Sequence, residues 1–270
     1  MDEKIENIPY QILVDKNQLK GEFERIIIEC SNAVFIGLAA IDKLKEAPEF
    51  IMGENEFNLH KPFLIEMGLE DSQKYFKSWI IKKGFEDLIK AVTFLLIDVC
   101  KVLAKRKKLI EVNPKTLEDL QTILNSNEHN VSKEHYPSLI DKIKPYLTGD
   151  LAYIDEINSI NRVRRCLVHR DGLVTPLDCQ NGQDYLLLQW IYNEMMYEEN
   201  GIQKPFALPF MILTANSSII LKEEKRKKMF HSNDKILIEY QLFNELIWTI
   251  FKFGEDLISK LTFNFNNKIN

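Results

Sequence analysis

Apolar residues recur at every third or fourth position over most of this chain, a spacing typical of helices that bury one face. The first such segment begins at Asp15, a residue type that caps helices, and ends before Pro48. A second begins at Asp71 and continues to about Lys108, and Trp79 belongs to its broad apolar face. The pattern therefore predicts two long helices in the first part of the chain.

Shorter elements surround these two helices. Residues 1–15 form a polar arm with a short strand at 10–14, and residues 48–70 form an irregular connection that contains several turn-forming residues. Thr116, which acidic residues follow closely, predicts the capped start of a third helix, and Pro137 is placed to open a fourth.

The hydrophobic pattern changes after the middle of the chain. Segments 185–192, 206–213 and 218–221 are short and rich in aromatic and branched residues, so they predict strands. Asn200–Gly201 is a turn signal between the first two. These elements together predict a small antiparallel sheet.

The basic run Lys222–Lys228 follows these strands. It predicts a solvated hairpin or helix start, with a subsidiary contact to RNA as the alternative. The apolar stripe of a helix returns from Asp234, so residues 234–262 form a C-terminal bundle helix after a β-rich insertion at 173–233. Because helices on both sides of the insertion must share a core, we predict one mainly α-helical domain over residues 1–270.

Cations are concentrated in one stretch before the insertion. Four of the seven arginines fall within nine positions, with one of the five histidines among them: Arg162, Arg164, Arg165, His169 and Arg170. Arginine, unlike lysine, binds phosphate through two parallel hydrogen bonds. Because affinity for a polyanion comes from neutralising phosphates, the net charge of −5 favours a local contact with nucleic acid over general coating.

This stretch lies at the end of a predicted helix. Thr148, Gly149 and Asp150 supply capping groups before an apolar stripe. Gly172 is able to take the left-handed conformation that closes a helix. His169 is therefore expected in the last helical turn.

Arg164, four intervening residues and His169, followed by an Arg-Asp-Gly turn, resemble the Arg-x4-His signature of the HEPN superfamily. Its members are helical bundles found in prokaryotic toxins and phage-defence proteins, and many are metal-independent ribonucleases with an active site between two protomers. The resemblance implies a HEPN-like bundle that cleaves RNA through attack by the 2′-hydroxyl, without cofactor or metal. It also implies a homodimer and an antitoxin or defence protein as a further partner. Arg165 departs from the family pattern, because many members carry Asn, Asp or His there.

The chemistry assigns a role to each residue. His169 is the acid and base, because histidine is the side chain that exchanges protons near neutral pH. Arg164 stabilises the charge that develops around the five-coordinate phosphorus, and Arg162, Arg165 and Arg170 hold phosphate or fix the helix end. In a regular helix Arg164 and His169 lie about 140° apart, whereas Arg165 and His169 lie about 40° apart. Either the last turn is irregular, or two symmetry-related helices supply one site.

Two other interpretations stay open. A non-catalytic HEPN-like module would use the same arginines to bind RNA or a protein. Alternatively, the arginines pair with Asp155, Glu156, Asp171 or acidic residues on neighbouring helices, and His169 donates to a carbonyl. The exchange of His169 for alanine abolishes cleavage by an enzyme but leaves RNA affinity nearly intact.

Composition and missing motifs disfavour other classes of protein. The four cysteines form no Cys-x-x-Cys pair, which is typical of reduced thiols. The N-terminus does not resemble a signal peptide and the longest apolar run, 91–103, is too short to span a bilayer, so we expect a cytoplasmic protein without membrane contact. The pairs Glu128–His129 and Glu134–His135 lack a nearby third ligand, so we expect no metal site. Phosphate-binding, dinucleotide and serine-hydrolase motifs are also absent.

Overall fold

The computed structural model describes residues 15–46, 68–114, 116–126, 134–179, 182–205 and 217–262 of the chain. Within these ranges there are six α-helices and three strands: α1 (Lys16–Ile41), α2 (Leu69–Val112), α3 (Leu117–Asn125), α4 (Tyr136–Ile143), α5 (Ile154–His169), β1 (Tyr185–Glu199), β2 (Ile202–Pro205), β3 (Ser217–His231) and α6 (Tyr240–Lys260). A 3₁₀ turn, Lys144–Tyr146, follows α4. The protein is therefore mainly helical, and a small antiparallel sheet lies between α5 and α6 in the sequence, as predicted.

Several predicted features lie outside the described residues. These are the strand at 10–14, most of the connection at 48–70, the pair Glu128–His129 and the strand at 206–213. The structure neither supports nor opposes those predictions.

The N-termini of α1 and α3 confirm the predicted caps. The Asp15 carboxylate accepts hydrogen bonds from the backbone N–H groups of Asn17 and Gln18, at 2.8 and 3.3 Å. The Thr116 hydroxyl accepts from the N–H of Asp119, whose carboxylate accepts in return from the N–H of Thr116. Each cap satisfies N–H groups that have no partner inside the helix.

The helices α1 and α2 pack closely against each other at Gly84. A Cβ added to Gly84 would lie 2.3 Å from Cγ2 of Val34 and 3.1 Å from Cζ of Phe243. The missing side chain therefore lets α1 and α6 approach α2. The core formed in this way is continuous across α1, α2, α4, α5, β1 and α6, and its fully buried aromatic residues are Phe85, Phe243 and Phe253.

The helix α5 begins later than predicted. Its N-cap is Tyr153, which makes no side-chain capping bond, so the predicted cap at Thr148–Asp150 is wrong. The reason is a long-range contact, because the backbone N–H of Thr148 donates to the carbonyl of Lys260 at the end of α6, at 2.9 Å. These residues therefore hold the C-terminus of α6 instead of starting α5.

The helix α6 also begins later, at Tyr240 instead of Asp234. The carbonyl of Asp234 accepts from the N–H of Val174 at 2.9 Å, and the N–H of Ile236 donates to the carbonyl of Gly172 at 2.8 Å. These bonds hold residues 234–236 in extended pairing with the chain that follows α5. Such pairing uses the backbone groups that a helix would need.

The sheet has the strand order β2-β1-β3, and both pairings are antiparallel. β1 pairs with β3 along its whole length, from Tyr185 opposite His231 to Glu199 opposite Ser217. The basic run Lys222–Lys228 lies within β3, so the predicted hairpin or helix start is wrong there. β3 is an edge strand, and lysines on an edge strand oppose pairing with other chains.

Hydroxyl groups from two helices accept hydrogen bonds from the edge of β1 that faces away from β3. The Ser159 hydroxyl of α5 accepts from the N–H of Gln189 at 2.8 Å, and the Thr249 hydroxyl of α6 accepts from the N–H of Ile191 at 3.1 Å. Ser159 and Thr249 are both fully buried. Because buried N–H groups need acceptors, these two bonds fix α5 and α6 against the sheet.

Candidate functional site

The helix α5 ends where the sequence predicts. The carbonyl of Cys166 accepts from the backbone N–H groups of Arg170 and Gly172, at 3.0 and 3.1 Å. Asp171 and Gly172 both have a positive φ, at 50° and 79°. A Cβ on Gly172 would also lie 3.3 Å from the carbonyl oxygen of Ile236. The left-handed turn and the close backbone contact both favour glycine.

Two lysines hold the turn after His169. The Asp171 carboxylate lies 2.7 Å from Nζ of Lys82 on α2 and 2.7 Å from Nζ of Lys235, which follows β3. Hydrogen bonds from Lys235 and Lys82 lower the pKa of Asp171 to about 2. The end of α5 is therefore tied to α2 and to the chain that follows the sheet.

Arg170 is occupied by an acidic neighbour. Its Nε donates to Oδ2 of Asp178 at 2.7 Å, and a second guanidinium nitrogen contacts Oδ1 of the same carboxylate. The N–H and hydroxyl of Thr175 also donate to Asp178, both at 3.0 Å. The hydrogen bond with Asp178 raises the pKa of Arg170. Of the two roles predicted for Arg170, these contacts favour fixing the helix end over holding phosphate.

Arg164, Arg165 and His169 have no such neighbour. Within the described residues none of the three side chains makes a hydrogen bond or an ion pair, and Nε of Arg164 is buried without an acceptor. Arg165 and His169 are exposed, whereas Arg164 is half-buried. The predicted alternative, in which carboxylates occupy the arginines, therefore describes Arg170 but not Arg164 or Arg165.

Arg162 is half-buried on the same helix. Burial lowers its pKa, and the charge of Asp155 acts in the opposite direction. Glu156, another acidic residue considered for these arginines, instead lies 2.7 Å from Nζ of Lys225 on β3. Glu156 is thus paired with β3, whereas Asp155 acts on Arg162 through its charge.

Helix geometry separates the motif residues into two faces. The structure keeps α5 α-helical through His169, so an irregular last turn does not bring Arg164 to the imidazole. In a regular helix Arg162 and Arg165 lie within about 40° of His169, whereas Arg164 lies about 140° away. A single protomer therefore places the imidazole beside Arg165 and Arg162. Arg164 and His169 of one α5 therefore project from different sides of the helix.

The turn that follows His169, residues 170–172, is the motif turn. The surface around it is open and partly apolar. Four apolar side chains near it are between 38% and 86% exposed: Val168, Leu173, Leu177 and Leu237. Two cavities, of about 420 Å³ between α1 and α2 and about 500 Å³ between α1 and α6, are not lined by any motif residue. The motif thus lies on an open surface of the protomer and not in one of these two cavities.

Sequence reasoning missed the contribution of α2 to this region. Lys82 binds the motif turn, and Trp79, assigned to the buried face, is 52% exposed. In a regular helix Trp79 lies about 120° from the fully buried Phe85, which explains its exposure. The interleaving of lysine and aromatic residues at 74–83 was the signal that could have identified this surface.

The thiol between the two motif residues in the sequence is buried. All four cysteines are free, and burial raises the pKa of Cys166, the thiol between Arg164 and His169, to about 11. A protonated buried thiol is a poor nucleophile.

In the part of the chain that the structure describes, no three His, Cys, Asp or Glu side chains converge as metal ligands. No helix in that part has the length and apolarity to cross a membrane.

Comparison of the chain with protein-family models, with curated proteins and with solved structures gave no match.

Proposed function

We propose that the protein is a HEPN-type, metal-independent endoribonuclease that acts as a homodimer in a toxin or phage-defence role. The observation that carries the proposal is the set of side chains at the end of α5. The exposed imidazole of His169 and the guanidinium groups of Arg164 and Arg165, which pair with no carboxylate within the described residues, lie within the last six residues of this helix. Unpaired guanidinium groups on a protein of net charge −5 favour a local anion as their partner.

The buried Nε of Arg164 supports a binding role for this surface. A buried N–H without an acceptor costs about 1–3 kcal/mol, so a ligand or partner that supplied an acceptor to Nε of Arg164 would be bound more tightly. A phosphate oxygen supplies a charged acceptor of the right type. Arg164 is the residue that the Arg-x4-His resemblance assigns to the reacting phosphate.

The homodimer follows from the two faces of α5. A twofold axis near the ends of two α5 helices places His169 of one protomer opposite Arg164 of the partner subunit. The exposed apolar residues Val168, Leu173 and Leu177 flank the motif turn and supply area that such contact would bury. Two identical sites result, and each draws groups from both chains.

The reaction at each site needs only these groups and the RNA. His169 accepts the proton of the 2′-hydroxyl as the 2′-oxygen attacks the adjacent phosphorus. As the bond from phosphorus to the 5′-oxygen breaks, the protonated His169 returns that proton to the departing 5′-oxygen. The products are a 2′,3′-cyclic phosphate and a 5′-hydroxyl. Arg164 of the partner subunit stabilises the charge on the equatorial oxygens, and Arg165 and Arg162 hold the neighbouring phosphates.

The test is an incubation of purified protein with a mixed RNA pool in the presence of a chelator. Wild-type protein is expected to cut the RNA and His169→Ala to leave it intact. His231→Ala is the matched control, because His231 is also an exposed histidine but lies on β3, and it should cut at the wild-type rate. RNA that stays intact with wild-type protein would contradict the enzyme proposal.

A non-catalytic RNA-binding module is the second candidate. The open position of the motif, outside the two cavities, favours it, because catalytic groups usually lie in concave sites. Under this candidate wild-type protein binds RNA without cutting it, and His169→Ala binds with nearly the same affinity. Substitution of Arg165 weakens binding and lowers its dependence on salt.

A further inference from the structure

The part of α2 beside the motif turn differs from the rest of the chain in charge. Residues 74–83 contain four lysines and no acidic residue, although the chain as a whole has a net charge of −5. Nζ of Lys82 lies 2.7 Å from Oδ1 of Asp171, two residues beyond His169. Lys82 therefore ties this segment to the end of α5. Lys77 and Lys83 are also paired with carboxylates, Lys77 with Asp42 and Lys83 with Glu86 and Asp87.

Aromatic side chains on the same segment are open to solvent. Tyr75 is 55% exposed and Trp79 is 52% exposed. They are four residues apart, so they are neighbours on one helix face, and Lys82 lies one turn beyond Trp79. The ring of Phe76 meets that of Tyr75 edge-on, with centroids 5.7 Å apart, which restrains the tyrosine.

We propose that Trp79 and Tyr75 form a stacking platform for unpaired bases of the RNA whose phosphates contact the motif arginines. The inference rests on the proposed function, and it names single-stranded RNA as the substrate class. Aromatic side chains stack on the faces of bases, and those faces are covered in a duplex. Lys74, Lys77 and Lys82 lie close to these aromatic residues along α2, and they favour nucleic acid over a protein partner because lysine is depleted in the cores of protein interfaces.

The test measures RNA binding in a His169→Ala background, so that cleavage does not interfere. A fluorescein-labelled single-stranded RNA of mixed sequence is titrated with protein at several salt concentrations, and anisotropy is followed. Trp79→Ala should weaken binding about 10- to 100-fold without changing the salt slope, because stacking releases no counterions. Trp79→Phe keeps an aromatic face and should retain most of the affinity.

Phe94→Ala is the matched control. Phe94 lies on the same helix and is 50% exposed, but it is about 22 Å along the axis from Trp79. Its substitution should leave RNA affinity unchanged. A strand of the same length with abasic sugars in place of nucleotides should bind the His169→Ala parent and its Trp79→Ala derivative equally, since it has phosphates but no bases to stack.

The outcomes separate the platform from the proposed function. Unchanged RNA affinity in Trp79→Ala, with cleavage intact in the otherwise wild-type protein, would overturn the platform alone. Absence of both binding and cleavage in the parent proteins would overturn both proposals. Dissociation of a dimer by Trp79→Ala, seen in sedimentation, would assign the aromatic pair to a protein interface and would also overturn the platform.

Discussion

The bond between Thr249 of α6 and the backbone of β1 gives a direct test of how α6 is held against the sheet. The Thr249 hydroxyl accepts from the N–H of Ile191 at 3.1 Å and lies 3.0 Å from the carbonyl of Glu245 in its own helix. Thr249→Val keeps the shape of the side chain and removes the acceptor. Ile191 and Thr249 are both fully buried, so a water molecule cannot replace the lost hydroxyl acceptor without disturbing the core.

The expected loss follows from the one N–H that is left without a partner. An unsatisfied buried donor costs about 1–3 kcal/mol, so Thr249→Val should lower the free energy of unfolding by that amount. Thr93→Val is the matched control, because the Thr93 hydroxyl donates to the carbonyl of Ile89 at 3.1 Å in the same way but accepts from no backbone N–H. Its cost should stay within about 0.5 kcal/mol.

Urea unfolding followed by circular dichroism measures the difference. Thr249→Val should unfold at a lower urea concentration with an unchanged m-value, and Thr249→Ser, which retains the hydroxyl, should recover most of the lost stability. The melting temperature should fall by about 2–4 °C for each kcal/mol lost. Equal costs for Thr249→Val and Thr93→Val would refute the reasoning that the hydroxyl secures the sheet edge.

Two further predictions concern the turn after His169. The folded pKa of Asp171 is lowered to about 2, so its ion pairs stabilise the fold above the unfolded pKa of about 4 and this contribution is lost as the pH falls from about 4 to about 2. Asp171→Asn should therefore lower the free energy of unfolding by less than about 1 kcal/mol at pH 7, because the carboxylate is exposed. The difference in urea midpoint between the two proteins should vanish near pH 2, and a difference that does not change with pH would contradict this. Gly172→Ala should cost about 1–2 kcal/mol in the same assay because of its φ of 79°, whereas Gly149→Ala, with no atom within 4 Å of the added Cβ, should be nearly neutral; equal costs would argue against strain at the turn.

The features that the sequence predicted correctly depend on contacts between near neighbours. The caps at Asp15 and Thr116 and the stop at Gly172 each form within a few residues, so composition and spacing identify them. The long apolar stripes of α1 and α2 have the same local origin. These signals are sufficient for a mainly helical fold with a small sheet.

The errors arise where distant parts of the chain meet. The basic run Lys222–Lys228 shows no alternation, and only its pairing with β1 makes it a strand. Residues 234–236 pair with the chain after α5, which delays the start of α6. Hydrophobic identity alone assigned Trp79 to the core, but its side chain is 52% exposed. The pairing of Arg170 with Asp178 depends on how the chain folds between these residues, so the sequence alone did not identify it.

Mixing two inactive variants shows directly whether each site draws its catalytic groups from both protomers. Arg164→Ala and His169→Ala proteins are unfolded together, refolded as a mixture and assayed for RNA cleavage in chelator. If each site combines His169 of one protomer with Arg164 of the partner subunit, half of the dimers are mixed and each mixed dimer has one intact site. The mixture is therefore expected to have about one quarter of the wild-type rate, and either variant alone is expected to have almost none. A mixture as inactive as its components, beside an active wild-type protein, would contradict the shared site.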